Sequence, residues 1–353
     1  MVEPFIHAIN NAVKNKKPLY IQGGNSKYFY GELTNPAYDT LNIATYAGIV
    51  NYEPSELVVT ARAGTRLVDL ETVLHEHHQM LAFEPPHFGE NATLGGCIAT
   101  GLSGPRRAYA GAARDFVLGA RILDGRGNDL HFGGQVMKNV AGYDVSRLMT
   151  GAMGTLGVLL EVSLKVLPRP PMETSLCMQM KEGDAIKNMH QWASKPLPIS
   201  ATCFHNDKLF VRLSGTESAV RAARLKLGGE EVHQGELFWQ SLREHTHTFF
   251  SSGARLWRLS IKSFTAPLSL PGQQLIEWGG ALRWLATDEN LSEKVIRSQA
   301  EDAGGHATLF YGEKSSLQVF HPLKAHMMTL HKRLKQKFDP AGIFNPGRMY
   351  PEY

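Results

Sequence analysis

The spacing of apolar positions divides the first part of the chain into short strands and helices. A helix is predicted over residues 5–13, and β-rich apolar runs predict strands over 18–21 and 57–61. A second helix is expected to open after residues 64–65. Its apolar face would comprise Leu67, Leu70, Leu74 and His78.

A predicted hairpin and a long strand follow. Strands over residues 116–123 and 129–132 flank a glycine-containing turn, which is typical of a β-hairpin. Residues 157–167 form a long apolar run that stops at the proline cluster 168–171. We therefore predict a domain boundary at these prolines, with the first domain spanning residues 1–170.

Beyond the prolines the pattern changes to that of an α+β module over residues 171–290. Its predicted elements are a helix over 183–193, a strand over 209–213, a helix over 217–227, and strands over 256–261 and 280–286.

The C-terminal segment, residues 291–353, contains an amphipathic pattern that predicts a helix over 322–338, ended by Asp339 and Pro340. Its apolar face would carry Leu323, Met327, Leu330, Leu334 and Phe338. A basic run in its last turns complements the helix dipole, and we interpret it as a solvated face; it comprises Lys332, Arg333, Lys335 and Lys337.

Composition and charge narrow the class of protein. The 353 residues are 43% hydrophobic and 20% charged, which is ordinary for a globular chain, and the length favours two domains. A net charge of +4 is too small to indicate nucleic-acid binding. The sequence has neither a signal-peptide pattern nor an apolar run of about 18 residues, so a cytoplasmic protein is expected.

The cysteines indicate no redox centre within the chain. Cys97, Cys177 and Cys203 are odd in number and widely spaced, which argues against a disulfide framework and against an iron–sulfur cluster. We interpret them as small buried hydrophobic residues in a reducing compartment.

Two glycine-rich segments, residues 22–27 and 92–101, carry the candidate chemistry. Glycines permit tight turns in which backbone N–H groups converge on an anion, and each segment adds a Ser or Thr hydroxyl. Either segment alone could be an ordinary turn. Together they favour a chain that holds a large phosphate-bearing cofactor in two places. Neither segment has the G-x-G-x-x-G pattern of a nicotinamide-binding Rossmann unit.

The motifs, in their order along the chain, resemble the FAD-binding domain of the vanillyl-alcohol-oxidase and p-cresol-methylhydroxylase (PCMH) type. The resemblance is carried by residues 23–27, 92–101, 114–119, 138–144 and 151–158, and residues 339–348 resemble the C-terminal signature of the 2-hydroxy-acid branch. Residues 85–87, 104–107 and 278–284 carry a narrower resemblance to the FAD-binding E subunits of bacterial glycolate oxidases. Together these resemblances imply an α+β fold. In this fold a two-part PCMH-type FAD-binding domain precedes an α+β cap, and a C-terminal helix returns to the FAD domain.

The resemblance also implies which residues bind FAD. They are Gly23, Gly24, Asn25, Ser26, Lys27, Pro86, Thr93, Gly95, Gly96, Thr100, Gly101, Arg114, Asp115, Gly154, Gly157, Val158 and Asn345. The chain departs from the family at Asn25, where Gly is usual, and at Gln22, where Arg is usual. Asn tolerates a left-handed backbone, so the first loop is still expected to form.

The resemblance also leads to expectations about how the flavin is attached and about the pair Arg114 and Asp115. Lys27 follows Ser26 where the superfamily often has a His or Cys that attaches the flavin, so FAD is expected to be noncovalent, and Cys97 is expected to be a packed side chain. Arg114 and Asp115 support the cofactor in the family pattern, although an isolated surface ion pair is the alternative.

Oxidation of a 2-hydroxy acid requires a cation for the carboxylate and a base for the hydroxyl proton. Candidate cations are Arg283, Arg258 and Arg348, and candidate bases are His306 and His87; we select Arg283 and His306 as the catalytic pair. Relatives that oxidise such acids commonly carry a Gly-Glu-His-Gly segment, whereas residues 304–307 here lack the glutamate. No metal site is predicted, since residues 75–78 do not have metal-ligand spacing.

The resemblance implies an FAD-binding subunit that contributes to oxidation of glycolate to glyoxylate. Its partners would be a second FAD-containing subunit and an iron–sulfur subunit, through which it would lie peripherally on the inner membrane. Two alternatives stay open: a self-sufficient dehydrogenase of a 2-hydroxy acid or alcohol, and a noncatalytic assembly subunit stabilised by FAD.

Overall fold

The computed structural model describes residues 2–33, 35–134, 144–288, 290–314 and 317–353. Most of the predicted motif 138–144 lies outside these residues. Two antiparallel sheets organise the chain, a five-stranded sheet in the first part and an eight-stranded sheet in the second.

The first part contains nine strands and six helices within the described residues. The strands are β1 (Leu19–Gln22), β2 (Asp39–Asn42), β3 (Ile49–Glu53), β4 (Val58–Arg62), β5 (Gln79–Met80), β6 (Val117–Leu123), β7 (Asp129–Gly133), β8 (Val158–Lys165) and β9 (Leu167–Pro168). The helices are α1 (Glu3–Asn15), α2 (Leu67–Glu76), α3 (Leu94–Thr100), α4 (Arg107–Ala110), α5 (Ala113–Phe116) and α6 (Val145–Leu148).

The five-stranded sheet has the order β3-β4-β8-β6-β7, and α1, α2 and α3 contribute to the core beside it. The predicted hairpin is confirmed as β6 and β7. Its turn is fixed by Asp124, whose carboxylate accepts the backbone N–H groups of Arg126 at 2.8 Å and Asn128 at 2.9 Å. A separate parallel pair, β1 and β2, leads into the first glycine segment.

The predicted apolar face of α2 is confirmed for its leucines and wrong for His78. Leu67, Leu70 and Leu74 are fully buried. The helix ends at Glu76, and His78 is an exposed residue with a left-handed backbone (φ 54°) in the turn that follows. The prediction extended the helical spacing past the true end of the helix, because an apolar pattern does not show where a helix ends.

The second part contains eight strands and five helices within the described residues. The strands are β10 (Met172–Gln179), β11 (Ile199–His205), β12 (Lys208–Gly215), β13 (Glu230–Glu231), β14 (Arg255–Ser260), β15 (Gln273–Glu277), β16 (Leu282–Thr287) and β17 (His306–Tyr311). The helices are α7 (Glu182–Ala193), α8 (Glu217–Leu227), α9 (Gly235–Arg243), α10 (Glu293–Asp302) and α11 (Ala325–Phe338).

The eight-stranded sheet has an apolar layer on each of its two faces. Side chains along each strand alternate between these faces. One face is covered by α7, α8 and α10. The other face packs with α9 against loops of the first part, and this apolar layer includes Leu102, Trp239, Trp278, Trp284 and Phe310. The second face therefore forms a contact between the two parts of the chain.

An acidic residue with little solvent exposure ties the two parts together. Glu84 of the first part forms ion pairs with Arg106 at 3.2 Å and with Arg212 of β12 at 2.8 Å. Burial raises the pKa of Glu84, but the two guanidinium groups outweigh burial and hold the pKa below its ordinary value. The Glu84 carboxylate therefore stays charged where the two parts of the chain meet.

The C-terminal segment contributes to both parts. Its strand β17 closes one edge of the eight-stranded sheet, and Phe344 forms a parallel bridge with Leu19 of β1. Helix α11 begins at Ala325 rather than 322 and ends at Phe338, as predicted. Its predicted apolar face is only partly buried, since Met327 and Leu330 are exposed.

The interpretation of the basic run as a solvated face is wrong for Lys335. Its ammonium group is buried, pairs with Asp339 at 2.7 Å, and donates to the backbone oxygens of Thr155 at 2.8 Å and Phe344 at 2.7 Å. Lys332, Arg333 and Lys337 are exposed, as predicted. Lys335 thus fastens α11 to the loop before β8.

Within the described part of the chain, no helix combines the length and hydrophobicity that a membrane span requires.

Lys335→Met is expected to destabilise the protein by about 3–5 kcal/mol, because it leaves the buried carboxylate of Asp339 without its cation. Urea denaturation would measure this loss. Lys337→Met is the matched control, since Lys337 is exposed two residues away, and it should change stability by less than about 0.5 kcal/mol. Equal effects of the two substitutions would contradict the role of the buried pair.

Candidate functional site

The two glycine segments are in direct contact. The backbone N–H of Gly24 donates to Oγ1 of Thr93 at 3.4 Å. A Cβ atom on Gly24 would lie 1.4 Å from the backbone oxygen of Asn91, and one on Gly23 would lie 2.4 Å from Oγ1 of Thr93. Only glycine permits this approach, so the segments form two sides of one site.

A cleft opens where the segments meet. It is lined by Tyr20, Ile21, Gln22, Gly23, Gly24, Asn25, Ser26, Lys27, Tyr28, Thr93, Gly96, Ala99, Thr100, Met153, Asn345 and Arg348. The cleft thus contains nine of the seventeen residues predicted to bind FAD, and they come from three separate regions of the chain.

The first loop presents free hydrogen-bond donors. Asn25 has a left-handed backbone (φ 58°), as its tolerance of this conformation predicts, and its side chain accepts from the Tyr20 hydroxyl at 2.9 Å. Within the described residues, the backbone N–H groups of Asn25, Ser26 and Lys27 have no protein acceptor. Successive free N–H groups of this kind suit a phosphate oxygen, so the loop fits the pyrophosphate of FAD.

Lys27 adds a buried cation to the cleft. Its ammonium group donates to the backbone oxygen of His87 at 3.1 Å and to the Ser26 hydroxyl at 3.4 Å. Burial lowers the pKa of Lys27, and the acidic groups of Cys97 and Glu244 act in the opposite direction. A bound anion would favour the charged form.

Asn345 holds the cleft together from the C-terminal segment. Its side-chain oxygen accepts from the backbone of Ile21 at 2.9 Å, and its amide nitrogen donates to the backbone oxygen of Met153 at 2.7 Å. A Cβ atom on Gly154 would lie 2.6 Å from that amide nitrogen. Asn345 therefore fixes the end of β1 against the loop that contains Gly154.

The remaining predicted FAD residues lie around the cleft or away from it. Gly95 packs against Ala63, Gly101 against Gly151, and Gly157 against Leu123. Val158 is buried at the start of β8, and Pro86 lines a second cavity described below.

The structure places Arg114 and Asp115 on the surface. Their side chains are 70% and 52% exposed and 3.9 Å apart. Asp115 instead accepts the backbone N–H of Ala112 at 2.9 Å. This exposure agrees with the alternative interpretation of a surface ion pair, and a supporting role beside the cofactor stays a prediction.

Cys97 is buried in α3, and burial raises the pKa of its thiol to about 12. The thiol is therefore protonated near neutral pH, which fits the predicted packing role.

A small second cavity lies between the loop 102–105 and the inner face of the eight-stranded sheet. Its volume is about 20 Å³. It is lined by Pro86, Phe88, Leu102, Ser103, Gly104, Pro105, Leu242, Arg243, His245, Arg258, Glu277, Leu282, Trp284 and Phe310. Both parts of the chain therefore contribute to this cavity.

Three titratable groups of this second cavity have unusual surroundings. The guanidinium of Arg258 lies 5.1 Å from the ring centroid of Trp278, and no hydrogen bond or ion pair engages it within the described residues. Burial raises the pKa of Glu277 to about 7, although Trp284 donates to its carboxylate at 2.8 Å. Burial, with a smaller contribution from the charge of Arg258, lowers the pKa of His245 to about 3.

Arg283 does not reach this cavity. Leu282 and Trp284 of β16 line it, so alternation places Arg283 on the opposite face of the sheet. Its fully buried guanidinium donates to the backbone oxygens of Gly280 at 2.9 Å and Thr265 at 2.8 Å. The period-two argument was sound, but the face that it assigned to the pocket was wrong.

The other candidate cations and bases are also engaged elsewhere. His306 shares a face of β17 with Phe310 but lies at the exposed start of the strand, outside the cavity lining. Arg348 is buried and donates to the backbone oxygens of Tyr28 and Tyr30 at 2.8 and 2.6 Å. His87 lies 3.1 Å from a carboxylate oxygen of Glu71.

Sequence reasoning missed His245 and Glu277. Glu277 directly precedes the motif 278–284, which was a usable signal. His245 had none, because it follows α9 in a polar stretch and reaches the cavity only through a left-handed backbone (φ 54°).

A larger cleft, of about 550 Å³, lies elsewhere, beside Glu84, Arg106 and Arg212. Its acidic and basic side chains largely pair with each other, and it contains neither glycine segment. Size alone therefore does not identify the site. Among the described residues there is also no group of three or more His, Cys, Asp or Glu that could hold a metal ion.

Comparisons with known proteins agree with this geometry. Residues 2–133 match a family model described as an FAD binding domain. The chain is 51% identical over 350 residues to glycolate oxidase subunit GlcE of Escherichia coli (strain K12), covering 99% of this chain and 97% of that protein. It is 30% identical over 368 residues to glycolate oxidase subunit GlcD of Bacillus subtilis (strain 168), covering 86% and 77%.

Solved structures confirm the predicted fold. p-Cresol methylhydroxylase with substrate bound matches with a TM-score of 0.72 at 13% identity, covering 100% of this chain and 88% of that chain. Alkyldihydroxyacetonephosphate synthase matches with a TM-score of 0.66 at 14% identity, covering 98% and 75%. The α+β, PCMH-type architecture is therefore correct.

Gly96→Ala is expected to weaken FAD binding at least about tenfold, which is about 1.4 kcal/mol, while leaving the apoprotein stable. The new methyl group would contact only Oγ1 of Thr93, at 3.3 Å, and would project into the cleft. Fluorescence titration of apoprotein with FAD would measure the affinity. Gly183→Ala, in open space on α7, is the control. Unchanged affinity in Gly96→Ala would contradict the assignment of the cleft.

Glu277→Gln is expected to stabilise the protein in a pH-dependent manner. Because the folded pKa of about 7 exceeds the ordinary value of 4.5, the stabilising contribution of Glu277 is present below about pH 4.5 and is lost as the pH rises through 7. The substitution should gain roughly 3 kcal/mol at pH 8 and almost nothing at pH 4. Urea denaturation at both pH values tests this, and a gain independent of pH would refute it.

Proposed function

This chain belongs to the family of glycolate oxidase subunit GlcE, and we propose that it is the FAD-binding subunit of an oxidase that converts glycolate to glyoxylate. The observation that carries the proposal is the single cleft built by both glycine segments, in a chain 51% identical to the Escherichia coli subunit. The chain would act as an FAD-dependent oxidoreductase on a CH–OH group and pass electrons to partner subunits.

The residues of the cleft have distinct parts in holding FAD. The free N–H groups of Asn25, Ser26 and Lys27 would donate hydrogen bonds to the pyrophosphate oxygens, and the ammonium group of Lys27 would offset the pyrophosphate charge. Thr93 and Gly96 would close the opposite side. FAD supplies an acceptor for the hydride removed from the hydroxyl-bearing carbon.

We propose that FAD is held noncovalently. The first loop has Ser26 and Lys27 where an attachment residue is expected in relatives with covalent flavin. Cys97, in the second segment, is buried and has a strongly raised pKa, which does not favour a nucleophilic thiolate.

Partners would complete the electron path. A second FAD-containing subunit is supported by the likeness to glycolate oxidase subunit GlcD. An iron–sulfur subunit is proposed because the three cysteines are free and widely spaced, so this chain offers no cluster of its own within the described residues. The assembly would be cytoplasmic, with peripheral association with the inner membrane through those partners.

We propose three functional parts: an FAD domain over residues 1–170, a cap over 171–290, and a C-terminal segment over 291–353 that completes both. This division is supported by the passage of the chain from β9 to the eight-stranded sheet at Met172. It is also supported by the placement of β17 in that sheet and of Phe344 beside β1.

Purification of the chain alone, followed by addition of glycolate under anaerobic conditions, tests the function. We expect yellow protein whose flavin is released by acid precipitation and whose reduction by glycolate is completed only with partner subunits. Full reduction without partners would favour a self-sufficient dehydrogenase. Colourless, folded protein would contradict the FAD assignment.

A second experiment distinguishes an electron carrier from an assembly subunit. Gly96→Ala is expected to lower FAD content without disturbing the fold, so the reconstituted complex should assemble with reduced activity. Full activity in a complex that lacks this flavin would instead support the noncatalytic alternative.

A further inference from the structure

A carboxylate of the second part of the chain holds the loop against which the ammonium group of Lys27 lies. We propose that Glu244, the residue after α9, is a positioning residue for FAD: it fixes the loop 86–88, and this loop directs the Lys27 ammonium group at the cleft. The inference rests on the proposed function, in which Lys27 offsets the pyrophosphate charge. It goes further by making FAD affinity depend on a residue outside the cleft lining.

Both carboxylate oxygens of Glu244 are engaged. Its Oε2 accepts two successive backbone N–H groups, those of His87 at 3.0 Å and Phe88 at 2.9 Å. Its Oε1 accepts from Nε of Arg243 at 2.7 Å. The Glu244 side chain is only 17% exposed, so water competes little for these hydrogen bonds. A charged acceptor holds its donors more strongly than a neutral one, so Glu244 fixes the backbone at residues 87 and 88.

The loop requires such support, because Phe88 has a left-handed backbone (φ 53°). A bulky residue rarely adopts this conformation, which persists only where the surroundings enforce it. The Phe88 ring contacts those of Phe29 and His245, with centroids 5.3 and 5.1 Å apart. The imidazole of His87 lies 3.1 Å from a carboxylate oxygen of Glu71 on α2. The loop is therefore held from both parts of the chain.

The Lys27 ammonium group contacts the two residues whose N–H groups Glu244 accepts. It donates to the backbone oxygen of His87 at 3.1 Å and lies 5.7 Å from the ring centroid of Phe88. Lys27 is 7% exposed, so these contacts replace water around a buried cation. A displacement of the loop would therefore remove both contacts at once.

The arrangement leaves the ammonium group ready for a phosphate. Its acceptors among the described residues are the His87 oxygen and, at 3.4 Å, the Ser26 hydroxyl. An ammonium group has three donors, so one remains for a phosphate oxygen. Holding a long, flexible side chain in its bound position lowers the entropy lost on binding, and this preorganisation is the contribution that we assign to Glu244.

Titration of apoprotein with FAD, followed by fluorescence, tests the inference through a double-mutant cycle. Glu244→Ala is expected to weaken FAD binding at least about fivefold, and Lys27→Met at least about tenfold. Because Glu244 acts through Lys27, Glu244→Ala should change the affinity of the Lys27→Met protein by less than about twofold. A residue that only stabilised the fold would weaken binding by the same factor in both backgrounds.

Two conservative substitutions separate the hydrogen bonds of Glu244 from its charge. Glu244→Gln keeps an acceptor oxygen at the same reach and should retain FAD affinity within about twofold. Glu244→Asp keeps the charge but is one methylene shorter, so it should lose affinity as Glu244→Ala does. Glu244→Asp also replaces Glu244→Ala in the cycle if the alanine variant does not fold.

Controls separate this inference from general effects on the second part of the chain. Glu236→Ala removes an exposed carboxylate of α9. Glu173→Gln removes a carboxylate that pairs with Arg106 at 2.7 Å, across the contact between the two parts. Both variants should bind FAD normally, and thermal unfolding shows whether each variant has folded.

Three results would overturn the inference and leave the FAD-binding role intact. They are normal FAD affinity in Glu244→Ala, normal affinity in Lys27→Met, and an effect of Glu244→Ala that is undiminished in the Lys27→Met background. Folded wild-type protein that binds no FAD would instead remove the proposed function itself.

Discussion

The site depends on a steric constraint, the contact between the backbones of two glycine segments that are distant in sequence. Any side chain at Gly24 would overlap the backbone of Asn91, and one at Gly23 would overlap Thr93. This approach brings free N–H groups of the first loop to the same cleft as the second segment. Asn345 then fixes the end of β1 from the C-terminal segment. The cleft therefore requires three regions of the chain to be correctly placed at the same time.

Buried charges set the positions of those regions. Lys335 and Asp339 fasten α11 to the loop before β8, and Glu84 joins the first part to Arg212 of the eight-stranded sheet. Such pairs recover the desolvation of their ions only when every partner is in place, so they penalise alternative arrangements more than they add stability.

Local physics explains which elements could be predicted. The hairpin 116–132 needed only alternation and an Asp–Gly turn, and the leucines of α2 needed only helical spacing. The two glycine segments predicted a phosphate-bearing cofactor, since glycine marks backbone that must pass close to other atoms, and the resemblance of the ordered motifs to a known family identified that cofactor as FAD. The errors had a common origin. His78, Lys335 and Arg283 were assigned an environment from local spacing, whereas burial and the choice of sheet face depend on what packs against an element.

The sequence by itself determined several helices and strands, the hairpin, the α+β class and the two glycine segments, because periodicity and glycine placement are properties of short segments. Only the tertiary structure decided which charged side chains line a cavity. It placed Arg283 behind the sheet, Arg114 on the surface, and His245 with Arg258 beside the FAD domain. The physical reason is that a strand presents alternate residues to opposite faces, and the packing of the whole chain decides which face becomes the site.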